Sequence, residues 1–291
     1  MLAFLGLCLL SRFAYSLNDV FTGRLARRFG RLEVATMRGV ALGLTMAPLL
    51  LWVPAAAWRA MVARWPELLL VFALTAASNL LQNHAARLLP FGLRAAFMIT
   101  GISSTALLLG WLVAGEVLAW EQIALAAVLI VSAIIAAPGK HAAHEIQPDI
   151  RRGVWYALAA AVLMGVIALL VQRLSKASHP FLTAWAWEFG SGLILVPVFL
   201  WQHRRDRLPG YLGRWWKIML YSAPTVVGSG ASMLALTLGQ LGLWAAMGGT
   251  QVLFTALLGT LWHRETMGWR RWACFAAAAL AVVGLARFRH G

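Results

Sequence analysis

Apolar runs recur from one end of the chain to the other, broken by short clusters of charge, glycine and proline. Runs of roughly 20 residues are long enough to cross the hydrocarbon of a bilayer as helices. Setting the runs against the turn and charge clusters predicts helices near 2–22, 32–53, 67–89, 91–113, 121–138, 153–173, 180–201, 215–238, 241–262 and 268–287. The least apolar stretch, Gly139 to Arg152, holds Lys140, His141, His144, Glu145, Pro148 and Asp149 and reads as a solvated linker. It divides the spans five and five, into units 1–149 and 150–291 with the linker at about 139–152. The expected fold is all-α: a polytopic membrane protein with ten transmembrane helices.

The two units align without a gap at an offset of 149 residues. Gly43 falls on Gly192, Pro48 on Pro197, Gly110 on Gly259, Glu116 on Glu265 and Trp120 on Trp269, while Arg24, Leu25 and Met98 meet Arg173, Leu174 and Met247. One offset serving several helix pairs points to duplication. An odd number of spans per unit forces the second to enter the membrane from the opposite side, which gives a 5+5 inverted repeat. Many secondary transporters share that plan, with the substrate site between the repeats near the midplane.

Composition agrees with a lipid environment. Of 291 residues 61% are hydrophobic and 12% charged, with a mean hydropathy of +0.75. A soluble domain carries about a quarter charged residues, so a water-soluble enzyme, a secreted domain and a disordered tail are all excluded. The net charge of +15 lies in clusters beside the spans, such as Arg24, Arg27, Arg28 and Arg31, or Arg204, Arg205 and Arg207. It reads as topogenic charge and not as a nucleic-acid surface. Loops on one side carry roughly three times as many Lys and Arg as those on the other, which puts both termini outside. Cys8 and Cys274 fall inside apolar spans and read as packing residues. Arg12, Asn18 and Asp19 in the first span mark it as a retained helix and not a cleaved signal.

Leu109-Gly110-Trp111-Leu112-Val113-Ala114-Gly115-Glu116-Val117-Leu118 and Leu257-Leu258-Gly259-Thr260-Leu261-Trp262-His263-Arg264-Glu265-Thr266 resemble a signature of the drug/metabolite transporter superfamily, EamA type. Gly115-Glu116 fits the pattern; Arg264 replaces the glycine in the second copy. Arg38 and Asn18 also resemble recurrent positions. The resemblance implies a ten-helix inverted repeat that moves small metabolites or drugs, with both termini in the cytoplasm. On that last point it opposes the charge count, though both versions keep the two ends on one side.

An ionisable side chain in hydrocarbon costs about 2.5–3.5 kcal/mol on insertion scales, so each needs a partner or a wet cavity. Glu188 lies well inside the seventh span, flanked by Trp185, Trp187 and Phe189. It is either a cavity carboxylate (a proton carrier or the counter-ion of a cationic substrate) or half of a structural ion pair with Arg38 or Arg12. Arg38 is an anion clamp, a structural salt bridge or a snorkelling residue. Arg12 lies too deep to snorkel and is expected to face the interior. Asp19 is placed to pair with Arg24. Asn79, Gln82 and Asn83 in the third span form a polar stripe that lines a path or ties helices together. Thr250 and Gln251, with Trp244 above them, supply polarity on the ninth span, and Trp185, Trp187 and Trp244 are candidate cavity walls. Gly39-xxx-Gly43 matches a helix-packing pattern, and Pro48 and Pro197 are expected to kink the second and seventh spans and make them gates.

No Walker loop, metal-binding cluster, intramembrane-protease motif or selectivity-filter loop occurs, and no cofactor is implied. The leading expectation is a secondary active transporter in a bacterial-type cytoplasmic (inner) membrane. It would move a small organic metabolite (amino-acid-like, aromatic or amine) by alternating access, coupled to protons. A lipid-linked carrier flippase or scaffold is the first rival and a membrane-embedded enzyme the second. The partners expected are the substrate, the lipid bilayer and protons, without nucleic acid; monomer and homodimer both stay open.

Overall fold

The computed structural model describes residues 1–28, 31–89, 91–136, 149–202, 215–263 and 268–287. Residues 139–148 of the expected linker, the Arg204 cluster and Arg264-Glu265 lie outside the described residues, as do the side chains of Asp19 and Arg24, while Asp149 caps α7 and Ile150–Arg152 belong to its first turn and not to a linker. Every regular element among the described residues is helical. In chain order they are α1 (Leu2–Arg28), α2 (Arg31–Met46) continued by a 3-10 segment (Ala47–Trp52), α3 (Ala55–Ala63), α4 (Trp65–Leu88), α5 (Phe91–Leu112) and α6 (Trp120–Ala136). There follow α7 (Ile150–Ala177), α8 (Pro180–Leu193), α9 (Val196–Gln202), α10 (Trp215–Leu238), α11 (Leu241–Ala246), α12 (Gly249–His263) and α13 (Trp269–Arg287).

Among the described residues, five segments are long and apolar enough to cross a membrane: Leu32–Trp52, Trp65–Leu88, Ile150–Ala177, Pro180–Gln202 and Trp216–Leu238. Shorter apolar helices cover Leu2–Asn18, Phe97–Leu112, Trp120–Ser132 and Trp272–Val282. The distribution of side chains is that of a protein solvated by lipid. Leu51, Val117, Trp120, Leu220 and Leu280 face outward, whereas Ser11, Arg12, Ser78, Ser103, Glu188, Thr225 and Ser229 are buried. Cys8 and Cys274 are both buried free thiols, as packing residues should be.

Three expected helices are interrupted. The second passes into a 3-10 turn at Ala47 and the seventh breaks between Leu193 and Val196, with Pro48 and Pro197 just beyond each change. Proline lacks the N–H that would continue the α-helical ladder there. The ninth breaks at Met247-Gly248, so a six-residue helix, α11, is stacked before α12. The short helix α3, between the second and third spans, was not expected.

In packing, α1 lies along α10 and α4 along α7; α2 crosses α8, α5 meets α11, and α6 meets α13. At the α2–α8 crossing backbone meets backbone. A Cβ added to Gly39 would lie 2.5 Å from the Gly192 Cα, and one added to Gly43 would penetrate the Phe189 ring. The Gly39-xxx-Gly43 pattern is therefore a helix contact, which small residues permit by letting backbones approach.

Candidate functional site

Residues four apart stand above one another on a helix, and α1 uses this to present two polar rows. Ser11 and Tyr15 face α10: Ser11 Oγ donates to the Gly228 carbonyl at 2.9 Å, and the Tyr15 hydroxyl lies 2.9 Å from Ser229 Oγ. Arg12 and Ser16 face the broken helix α11–α12. Arg12 Nη2 donates to the Trp244 carbonyl at 3.1 Å, and Ser16 Oγ lies 2.9 Å from the Gln251 carbonyl oxygen.

Glu188 projects from α8 into the space between α2 and α10 and is buried. Ser229 Oγ donates to its Oε1 at 2.7 Å, and Arg38 Nη1 stands 3.7 Å from its Oε2. Arg38 is steadied by Thr225 Oγ1, one turn before Ser229, at 3.3 Å. Because Ser229 spends its proton on Glu188, the Tyr15 hydroxyl is the donor to Ser229. Tyr15, Ser229 and Glu188 thus form a directed chain whose two protons both point toward the carboxylate. The Arg38 contact is longer than a charge-assisted hydrogen bond of about 2.7–2.9 Å. It is a loose ion pair, and the Arg38 side chain keeps 19% of its surface open. Of the alternatives for Glu188, the pair with Arg38 is present; Arg12 is engaged elsewhere.

The helix break explains Arg12. In a continuous helix the Trp244 carbonyl would accept from the N–H of residue 248, but Gly248 N–H turns to Ala245 at 2.9 Å. The freed Trp244 carbonyl takes Arg12, the guanidinium carbon lies 4.3 Å from the centre of the Trp244 ring, and the neighbouring Ala245 carbonyl takes Ser103 Oγ at 2.7 Å. The other end of α11 is held by Glu116, whose two oxygens accept from Leu241 N–H at 2.6 Å and Gly242 N–H at 3.0 Å. Gly115, at φ 66°, supplies the left-handed turn that aims Glu116 back at this helix. A carboxylate at the N-terminus and a guanidinium at the C-terminus both oppose the local helix dipole.

The other expected site residues divide. Trp244 joins the Arg12 end of the site and donates its indole N–H to Ser232 at 2.9 Å. Thr250 Oγ1 donates to the Met247 carbonyl at 2.7 Å, inside the break, and Gln251 contributes its backbone carbonyl to Ser16. Trp185 donates to the Gly43 carbonyl at 2.9 Å and packs edgewise on Trp58 and at a tilt on Phe189, forming an aromatic plug at the α2–α8 crossing. Trp187 donates to Thr75 Oγ1 on α4 at 2.9 Å. Gln82 donates to Ser78, which donates to the Ala160 carbonyl of α7, so this part of the stripe ties helices together. Asn79 and Asn83 are half-buried on the same helix.

Tyr15, Ser229 and Thr225 were not expected in the site. Nothing local in the sequence marks Ser229 as the partner of a glutamate 41 residues earlier. The break at Met247-Gly248-Gly249 did have a signal, since paired glycines punctuate helices.

Residues 151–287 match the model of the EamA-like transporter family, which belongs to the drug/metabolite transporter superfamily, as the sequence resemblance implied. With the apolar helices, this match over the second half points to a multi-pass membrane protein of the transporter class. No curated protein sequence matches it. One solved crystal structure superimposes with a TM-score of 0.74 over 96% of each chain at 12% identity, a likeness of fold alone.

Proposed function

We propose that the chain is a secondary active transporter that moves a small organic metabolite by alternating access between two inverted five-helix halves, 1–149 and 150–291. In this reading Glu188 carries the coupling proton. The observation that carries it is the buried carboxylate itself. It lies where α8 of the second half meets α2 of the first, accepts from Ser229, which itself accepts from Tyr15, and is paired only loosely with Arg38.

The halves are supported by correspondence at the 149-residue offset. There α1 falls on α7, α2 with its 3-10 turn on α8 with α9, α4 on α10, α5 on α11 with α12, and α6 on α13. The same exchange turns the α1–α10 packing into α7–α4 and returns α2–α8 to itself. An axis of that kind relates an inward opening to an outward one. The proline-marked interruptions of α2 and α8–α9 make these helices the gates, and the Trp58, Trp185 and Phe189 plug seals them at the α3 end.

Reconstituted protein tests the coupling. Glu188→Gln is expected to abolish accumulation driven by a proton gradient while leaving exchange of labelled for unlabelled solute. Concentrative uptake by that variant would overturn the assignment.

A further inference from the structure

The last turns of α7 are held in one rotation by their contacts with α10. Gln172 Nε2 donates to the Gly239 carbonyl at 3.3 Å and Ser175 Oγ donates to Met233 Sδ at 3.5 Å, so both face inward. Arg173 and Lys176, each the next residue along, turn outward and are exposed. Arg64 meets them from another part of the chain. It is the single residue between α3 and α4, and both helices fix its place: its N–H donates to the Met61 carbonyl and its carbonyl accepts from Leu68 N–H, each at 3.1 Å. Arg64, Glu67, Arg173, Lys176 and Ala177 line one open cleft of about 460 Å³.

Charge in the cleft does not balance. Glu67 lies 3.3 Å from Arg64 Nη1 and compensates that cation. It is the only acid in either stretch 53–90 or 153–187, which hold α3, α4, α7 beyond its first turn and the start of α8. Arg173 and Lys176 have no hydrogen-bond or ion-pair partner among the described residues. A helix C-terminus favours cations, which explains each of these two alone. It does not explain why Arg64 joins them from a different helix, where like charges repel. Deeper along both helices the walls turn apolar. Leu70, one turn from Glu67 on α4, is exposed, and Leu170, one turn from Arg173 on α7, is half-buried. Trp65 is exposed at the start of α4, as indoles are at a membrane–water boundary.

We infer that this cleft binds the phosphate headgroup of an anionic phospholipid. Arg173 offers the phosphate two-point bonds and Lys176 a point charge, while the acyl chains lie over Leu70 and Leu170. Basic pockets between membrane helices hold anionic headgroups in this way. A zwitterionic headgroup would bring its own ammonium into a cleft already in positive excess. Free phosphate shares the anion chemistry but leaves both leucines uncovered. The bound lipid would fasten the α3–α4 junction to the end of α7. This site goes beyond the transporter reading and stands or falls without it.

The test uses purified full-length protein in neutral-detergent micelles at fixed ionic strength, titrated with phosphatidylglycerol, phosphatidylcholine or inorganic phosphate while the melting temperature is followed. Phosphatidylglycerol is expected to raise it by several degrees, saturably, and the other two are not. Arg173→Gln combined with Lys176→Gln is expected to raise the half-saturating fraction of phosphatidylglycerol about tenfold or more. Arg59→Gln combined with Arg151→Gln removes the same charge from exposed positions outside the cleft and should leave the titration unchanged. If the cleft double variant does not fold, Lys176→Gln alone carries the comparison, with a smaller rise. Phosphatidylcholine or inorganic phosphate acting as well as phosphatidylglycerol, no saturable shift with any of them, or equal weakening in the cleft and control variants overturns the site.

Discussion

Ser229 stands between two groups that would otherwise not meet, accepting from Tyr15 and donating to Glu188. Ser229→Ala removes both bonds at little cost in volume and leaves the carboxylate with Arg38 alone. Proton-driven uptake is expected to fall at least severalfold while solute exchange persists, measured in the same vesicles. Glu116 allows a cleaner stability test. Glu116→Gln keeps the shape but removes the charge facing the α11 N-terminus, and about 1 kcal/mol should be lost, read as a lower melting temperature in detergent. At this scale the sequence was informative about charge and silent about hydroxyls. Glu188, Arg38 and Arg12 stand out because an ion in an apolar run is costly. Tyr15 and Ser229 are ordinary in such runs, and their partnership spans 214 residues.

Among the elements, α8 carries the most consequence, being capped, crossed and broken within a few turns. His179 precedes it and accepts the Phe181 N–H at Nδ1, 3.3 Å away, which requires a neutral ring. Partial burial pushes the His179 pKa below its ordinary 6.5. A lowered value means the folded state resists protonation, so the stability His179 lends is complete above about pH 6.5. It is lost as pH falls through that value toward the folded pKa. Melting temperature should therefore drop on acidification, and His179→Asn, which caps without titrating, should flatten that slope. At the crossing, Gly39→Leu forces a side chain onto Gly192 backbone, and overpacking of this kind costs about 1–3 kcal/mol. Loss of folded yield on size-exclusion chromatography is the expected result. The glycine spacing and the paired prolines announced this crossing and its kinks, because both act through local backbone geometry. The α11–α12 break passed as one apolar span because hydrophobicity continues across it, and α3 escaped because nine residues between Pro54 and Arg64 are too few to register as a span.

For the whole molecule, lipid solvation was the most legible property, since it depends on composition summed over hundreds of residues and not on any one contact. The proposed five spans per half carry a parity that vesicle topology can check. Reporters placed in the 139–148 linker and after Gly291 are expected on opposite faces of the membrane, whichever face the positive loops occupy. Equal signals from both would end the five-plus-five arrangement. The bracket around α11 also bears on how such a chain evolves. Its two electrostatic supports, Arg12 and Glu116, belong to the N-terminal unit, while the helix they steady belongs to the C-terminal one. In a homodimer assembled from two copies of the latter, the 149-residue offset would put Glu265 in the place of Glu116 but Ala161 in the place of Arg12, so the Trp244 carbonyl would lose its guanidinium.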